Sequence, residues 1–124
     1  MISVLVVDDQ PATRSGLRML LSLQPDLALI GEAADGTEAV AQAVEASPDV
    51  VVMDVAMPGL DGIDATAALR ARLPRSAVVI LTLYDDPPIR ARARAAGAAA
   101  VVGKHEGGGP LLAAIRFAAG ARPP

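Results

Sequence analysis

Near its middle the chain reads Val50-Val51-Val52-Met53-Asp54, a short β-branched run that stops at a carboxylate. The other apolar runs that stop at a polar side chain are Ile2–Val7 before Asp8 and Asp9, Ala77–Leu81 before Thr82, and Ala98–Gly103 before Lys104. Short apolar runs separated by helical patterns are typical of buried parallel strands. Because the carboxyl ends of parallel strands share one edge of the sheet, these polar side chains are predicted to converge on one site.

Outward from this run, strands alternate regularly with helices. The predicted strands are Ile2–Val7, Leu27–Ala33, Val50–Asp54, Ala77–Thr82 and Ala99–Gly103. The predicted helices begin near Pro11, span about Thr37–Ala46 and Ile63–Arg72, run from Pro87 to Gly97, and finally span Pro110–Ala119. In the first two helices the expected buried stripes are Leu17, Leu20 and Leu21, and Val40, Ala43 and Val44. Five βα units with short connections predict an α/β three-layer sandwich with right-handed crossovers.

Composition narrows the possible functions. The chain has 124 residues, of which 52% are hydrophobic, and this indicates one domain that is large enough to bury a hydrophobic core. Its net charge of −3 indicates that the chain binds nucleic acid poorly. The absence of cysteine excludes disulfides, thiolate metal sites and a cysteine nucleophile. No apolar run has transmembrane or signal-peptide length, so we expect no membrane contact and a cytoplasmic location.

The three acids at the predicted edge favour a metal site. Two carboxylates about 5 Å apart repel each other by roughly 3 kcal/mol at an effective dielectric constant of about 20, so a cluster of three needs a cation or shifted pKa values. Hard oxygen ligands with an open coordination position suit Mg²⁺. A plainer role for Asp8 and Asp9 is to cap the first helix. Asp54 has two open roles, metal ligand and nucleophile for a phosphoryl group.

Two further side chains could serve phosphoryl chemistry. Lys104 is the chain's single lysine beside ten arginines, and its flexible stem suits a point charge aimed at a phosphoryl oxygen. Thr82 offers a hydroxyl donor, although a threonine at a strand end is often only a good β-former.

With these residues in this order, the chain resembles the receiver domains of two-component response regulators, and the resemblance covers nearly all of it. The matching motifs are Val7-Asp8-Asp9, Met53-Asp54 with the Met57-Pro58-Gly59-Leu60-Asp61-Gly62 loop, Leu81-Thr82, and Ala96-Gly97 seven residues before Lys104. The loop sequence and the Thr82–Lys104 spacing are similar to those of NarL/FixJ (LuxR-type) regulators. The resemblance implies a flavodoxin-like (βα)5 doubly wound sheet with strand order 2-1-3-4-5.

The resemblance also implies roles for individual residues. Asp54 is the expected phosphoacceptor, and Mg²⁺ is expected on Asp8, Asp9, Asp54 and the backbone carbonyl of Ala56. Thr82 and Lys104 are expected to contact the phosphoryl group. Val101 stands where the family usually has a switch aromatic, so the usual coupling to Thr82 is expected to be weaker, with Tyr84 as a possible substitute.

Partners and domain organisation follow from the same resemblance. A sensor histidine kinase is the expected phosphoryl donor, and a homodimer can form on phosphorylation. Residues 1–120 are the expected receiver domain, and residues 121–124 begin a linker to a helix-turn-helix domain outside the chain, through which alone DNA would be bound.

Apart from self-phosphorylation and autodephosphorylation we expect no enzymatic activity. A haloacid-dehalogenase-type phosphatase would need an acid two residues after Asp54, where Ala56 stands. The alternative is a stand-alone single-domain regulator that acts through protein contact.

Overall fold

The computed structural model describes residues 1–83 and 86–121 as a parallel sheet covered by helices on both faces. The strands are β1 (Ile2–Val7), β2 (Leu27–Ala33), β3 (Val50–Met53), β4 (Ala77–Thr82) and β5 (Ala100–Gly103). The helices are α1 (Pro11–Ser22), α2 (Gly36–Ala46), α3 (Gly62–Arg72), α4 (Pro87–Ala95) and α5 (Gly108–Ala121), with a 3₁₀ turn over Lys104–Glu106.

The sheet has the strand order β2-β1-β3-β4-β5, so the flavodoxin-like fold expected from the sequence is confirmed. Its two faces support separate cores because successive side chains of a strand point to opposite sides. Leu5, Val51 and Ile80 pack beneath α2, α3 and α4. Val6 and Val79 pack with α1 and α5 on the other face. Strands buried on both faces explain why β1, β3 and β4 are nearly continuous apolar runs.

The expected buried stripe of α2 was wrong at one position. Ala43 is buried and Val40 is partly buried, but Val44 is 40% exposed. The buried positions of this helix are Gly36, Ala39 and Ala43, which repeat every three to four residues, and Val44 lies about 100° around the helix from Ala43. In α1 the stripe is correctly placed, with Leu21 buried and Leu17 and Leu20 partly buried against the core.

Element ends differ from the predicted ones by one or two residues. β3 ends at Met53, β5 begins at Ala100, and α4 ends at Ala95 with Gly97 in a left-handed conformation at φ +104°. α5 begins at Gly108 rather than Pro110, and it continues to Ala121, the first of the four residues assigned to a linker. Tyr84 and residues 122–124 lie outside the described residues. None of the helices in the described ranges is long and apolar enough to span a membrane.

Candidate phosphoryl and metal site

The polar side chains predicted to converge do lie at the same edge of the sheet. Val7 pairs with Met53 across β1 and β3, which brings Asp8 and Asp9 beside Asp54. Thr82 pairs with Gly103 across β4 and β5, so Lys104 follows at the same level. Parallel strands in register therefore bring together residues that are far apart in the sequence.

Asp8, Asp9 and Asp54 form a tight carboxylate cluster. Each offers one oxygen, and these oxygens all lie within 4.8 Å of one another. Asp8 and Asp54 are buried and Asp9 is half-buried. The cluster could hold a metal ion, and an all-oxygen donor set of this size fits a hard divalent cation such as Mg²⁺.

The electrostatics of Asp54 reflect this crowding. Burial raises the pKa of Asp54 from its ordinary 3.8 to about 6, and the neighbouring charge of Asp8 adds to the rise. Lys104 and a backbone hydrogen bond from Ala56 act in the opposite direction without cancelling it. A cation or a proton that binds to a carboxylate in this environment therefore stabilises it.

Lys104 supplies the cation within the site. Its Nζ lies 2.8 Å from Oδ2 of Asp8 and 3.6 Å from Oδ2 of Asp54, so its main partner is Asp8. Burial lowers the pKa of Lys104, but the hydrogen bond to Asp8 and the charge of Asp54 outweigh burial, and the pKa is raised. One ammonium thus faces three carboxylates, which leaves the cluster negative.

Backbone contacts hold the acids in place. Asp8 accepts a hydrogen bond at Oδ1 from the Gln10 N–H at 2.9 Å, and its carbonyl accepts one from Arg14 Nη1 at 2.6 Å. The Asp54 N–H donates to the Val7 carbonyl at 3.0 Å, which ties the end of β3 directly to β1.

The loop between β3 and α3 packs tightly on Asp54. The Gly62 N–H donates to the Val55 carbonyl at 3.0 Å, and a Cβ at Gly62 would overlap the Asp54 carbonyl oxygen. Thr66 holds the same turn because its buried hydroxyl donates to the Gly62 carbonyl at 2.7 Å. Only glycine permits this close approach, which fixes the segment that carries Ala56.

The site opens into a cavity of about 340 Å³. Its walls are formed by Asp9, Gln10, Thr13, Asp54, Ala56, Leu83 and Lys104. Thr82 is fully buried and is not one of the residues that line this cavity, and Val101 is buried in the core beneath α4. Sequence reasoning missed Gln10 and Thr13. The position of α1 directly after the acid pair was the available signal, because the first turn of such a helix lies at the same edge.

Comparison with known proteins defines the class. The family model for the response regulator receiver domain matches residues 4–116. The chain therefore belongs to the receiver-domain family of two-component response regulators.

Its relatives include LuxR-type regulators, which is the type expected from the sequence. It is 41% identical to the transcriptional regulatory protein LiaR of Bacillus subtilis over 99% of this chain and 58% of LiaR. The solved receiver domain of NarL from Mycobacterium tuberculosis is 33% identical, with a TM-score of 0.92 over 98% of each chain. A LuxR-family response regulator from Aurantimonas is 36% identical, with a TM-score of 0.89 over 98% of this chain and 88% of the other. The chain spans little more than half the length of the curated relative.

Proposed function

We propose that Asp54 accepts a phosphoryl group from a sensor histidine kinase and that the resulting charge switches the domain. The observation that supports this is the convergence of three carboxylates and one ammonium on an open cavity. An acid cluster with one ammonium against its carboxylates and a raised pKa at Asp54 suits a nucleophile that works beside a metal ion.

In the proposed transfer an oxygen of Asp54 attacks the phosphorus of a phosphohistidine. The bond from phosphorus to the donor nitrogen breaks, and the imidazole leaves with the electron pair. Asp8, Asp9, Asp54 and the Ala56 carbonyl would hold Mg²⁺, which neutralises charge on the phosphoryl oxygens when bound.

Lys104 and Thr82 would stabilise the transferred group. The Lys104 ammonium lies within 3.6 Å of Asp54 and can exchange its contact with Asp8 for a phosphoryl oxygen. Thr82 ends the neighbouring strand, where its hydroxyl would donate to the same group. We propose Tyr84 as a substitute for the missing aromatic at Val101.

The conformational change caused by phosphorylation would alter the surface around α4. The one buried residue of α4 is the small Ala93, whereas that of α1 is the larger Leu21, so α4 is weakly anchored. An added charge of about −1.5 to −2 is a sufficient cause for such an element to change its packing.

The output is proposed by analogy with the relatives. LiaR is named as a transcriptional regulator and extends beyond the matched region. We therefore propose that residues 1–120 are the receiver half of a cytoplasmic transcription factor, not an enzyme. DNA would be bound through a further domain, and phosphorylation would favour a homodimer.

Intact-mass measurement after incubation with acetyl phosphate and Mg²⁺ tests the assignment. The wild type is expected to gain one phosphoryl group, and Asp54→Asn is expected to gain none. Asp49→Asn is the matched control, because Asp49 precedes the same strand at the opposite edge of the sheet. Phosphoryl incorporation into Asp54→Asn would contradict the proposal.

A further inference from the structure

Two arginines lie one turn apart on α1 and are held in different ways. The Arg18 side chain is 54% exposed and pairs with both oxygens of Glu32, through Nε at 2.7 Å and Nη2 at 3.0 Å. The Arg14 side chain is only 19% exposed, and its Nε lies 3.5 Å from the same carboxylate. Arg14 has a shorter contact with the acid cluster, because its Nη1 donates to the Asp8 carbonyl at 2.6 Å.

The carbonyl that Arg14 contacts belongs to the peptide unit between Asp8 and Asp9. A peptide unit is planar, so a contact that fixes its oxygen also fixes the directions in which the two flanking residues extend. The N–H of Asp8 is held separately, because it donates to the Ala33 carbonyl at 3.1 Å. Arg14 therefore fixes the orientation of the peptide that links two members of the carboxylate cluster.

We propose that Arg14 is a positioning residue for the metal site, which orients the Asp8–Asp9 peptide so that both carboxylates suit Mg²⁺. The inference rests on the proposed binding of Mg²⁺ in the carboxylate cluster. Mg²⁺ demands nearly octahedral geometry with oxygens at about 2.0–2.1 Å, so a rotation of this peptide would weaken its binding. Residues that orient metal ligands without touching the metal typically contribute about ten- to hundredfold to affinity.

The charge of Arg14 and its hydrogen bond affect metal binding in opposite directions. A guanidinium near the cluster repels a divalent cation, so removal of the charge alone would strengthen Mg²⁺ binding. Removal of the hydrogen bond leaves the Asp8 carbonyl without this donor and frees the peptide, which would weaken Mg²⁺ binding. We expect the second effect to dominate, because the hydrogen bond is short and partly buried whereas the charge is partly neutralised by Glu32.

The test measures dissociation constants for Mg²⁺ and for Ca²⁺ by NMR titration of the whole chain. Arg14→Ala is expected to weaken Mg²⁺ binding about tenfold. Ca²⁺ tolerates flexible geometry, so its affinity is expected to change by less than about threefold. Arg14→Lys keeps a donor and the charge, and it is expected to bind Mg²⁺ within about threefold of the wild type. Arg18→Ala is the matched control, since it removes the same charge from α1 and a contact with the same Glu32, and Mg²⁺ affinity is expected to be unchanged.

The comparison of the two ions separates positioning from a general loss of structure or a change of charge. Either of those causes would alter Mg²⁺ and Ca²⁺ affinity alike, and unfolding curves in EDTA are expected to stay cooperative for all variants. Equal changes for both ions, Mg²⁺ binding by Arg14→Ala that is as tight as in the wild type or tighter, or an equal loss in Arg14→Lys or Arg18→Ala would overturn the inference alone. A wild type that binds no Mg²⁺ would instead overturn the proposed metal site, and the inference with it.

Discussion

β3 has an aspartate next to each of its ends, and the two are held in opposite ways. Asp49 precedes the strand, where its Oδ2 accepts the Ser3 N–H at 2.9 Å and its own N–H donates to Ser3 Oγ at 2.9 Å. Asp54 follows the strand and faces two other carboxylates. A backbone N–H donates to the carboxylate at one edge, whereas like charges at the other leave Asp54 with a pKa raised to about 6.

The difference separates a structural acid from a reactive one. A carboxylate that accepts a backbone hydrogen bond stabilises the fold in its charged form. A carboxylate crowded by other carboxylates destabilises the fold when it is charged, and the cost is relieved by a proton, a metal ion or a cation. The same residue type therefore has opposite energetic effects at the two edges.

The largest expected effect follows from the charge of Asp54. Its folded pKa of about 6 lies above the ordinary 3.8, so the folded state binds more protons between these values. Without metal, the contribution of Asp54 to stability should be fully present below about pH 4 and fall by up to about 3 kcal/mol as the pH rises through 6. Asp54→Asn should lack this loss and be the more stable protein near neutral pH.

Urea denaturation followed by circular dichroism in EDTA measures this difference. Asp49→Asn serves as the comparison and should instead be destabilised by about 1–3 kcal/mol, because a charged acceptor of the Ser3 N–H is weakened. Parallel pH profiles for the wild type and Asp54→Asn would show that Asp54 carries no such cost.

The second expected effect is stabilisation by Mg²⁺. A ligand that binds only the folded state at about 100 times its dissociation constant adds about 2.7 kcal/mol. Asp9→Asn should lose most of this gain, and it should also raise metal-free stability because repulsion within the cluster is relieved. Asp49→Asn should keep the full gain. A wild-type melting curve indifferent to Mg²⁺ would contradict a metal site of useful affinity.

Much of this contrast was predictable from the order of residues along the chain. Apolar runs that end at Asp8, Asp54, Thr82 and Lys104 determine both the sheet and the edge where these side chains meet. This works because strand direction fixes where a strand end lies, whatever the details of packing.

Side-chain partners were less predictable, because they depend on three-dimensional placement. The preference of Lys104 for Asp8 over Asp54 is decided by a difference between 2.8 Å and 3.6 Å. The exposure of Val44 follows from the angle at which α2 packs on the sheet, which the apolar pattern does not define. The positions of Gln10 and Thr13 in the cavity wall depend likewise on the direction in which α1 extends from the acid pair.

The smallest expected effect lies at the edge opposite the site. The buried Ser76 hydroxyl donates to the Pro48 carbonyl at 2.6 Å, one residue before Asp49. Ser76→Ala leaves that carbonyl without this donor and should cost about 1–2 kcal/mol of unfolding free energy. Because this edge has no part in the carboxylate cluster, the loss should be the same with and without Mg²⁺.

Ser15→Ala is the matched control for Ser76→Ala, since Ser15 is exposed on α1 and its change should stay within about 0.5 kcal/mol. Denaturation curves of the wild type and both variants at zero and saturating Mg²⁺ give the six values needed. If Ser76→Ala altered the Mg²⁺ gain, the two edges of the sheet would be energetically coupled, and the division into a structural and a reactive edge would fail. Equal losses would instead mean that metal binding at Asp54 is independent of the packing that holds Asp49.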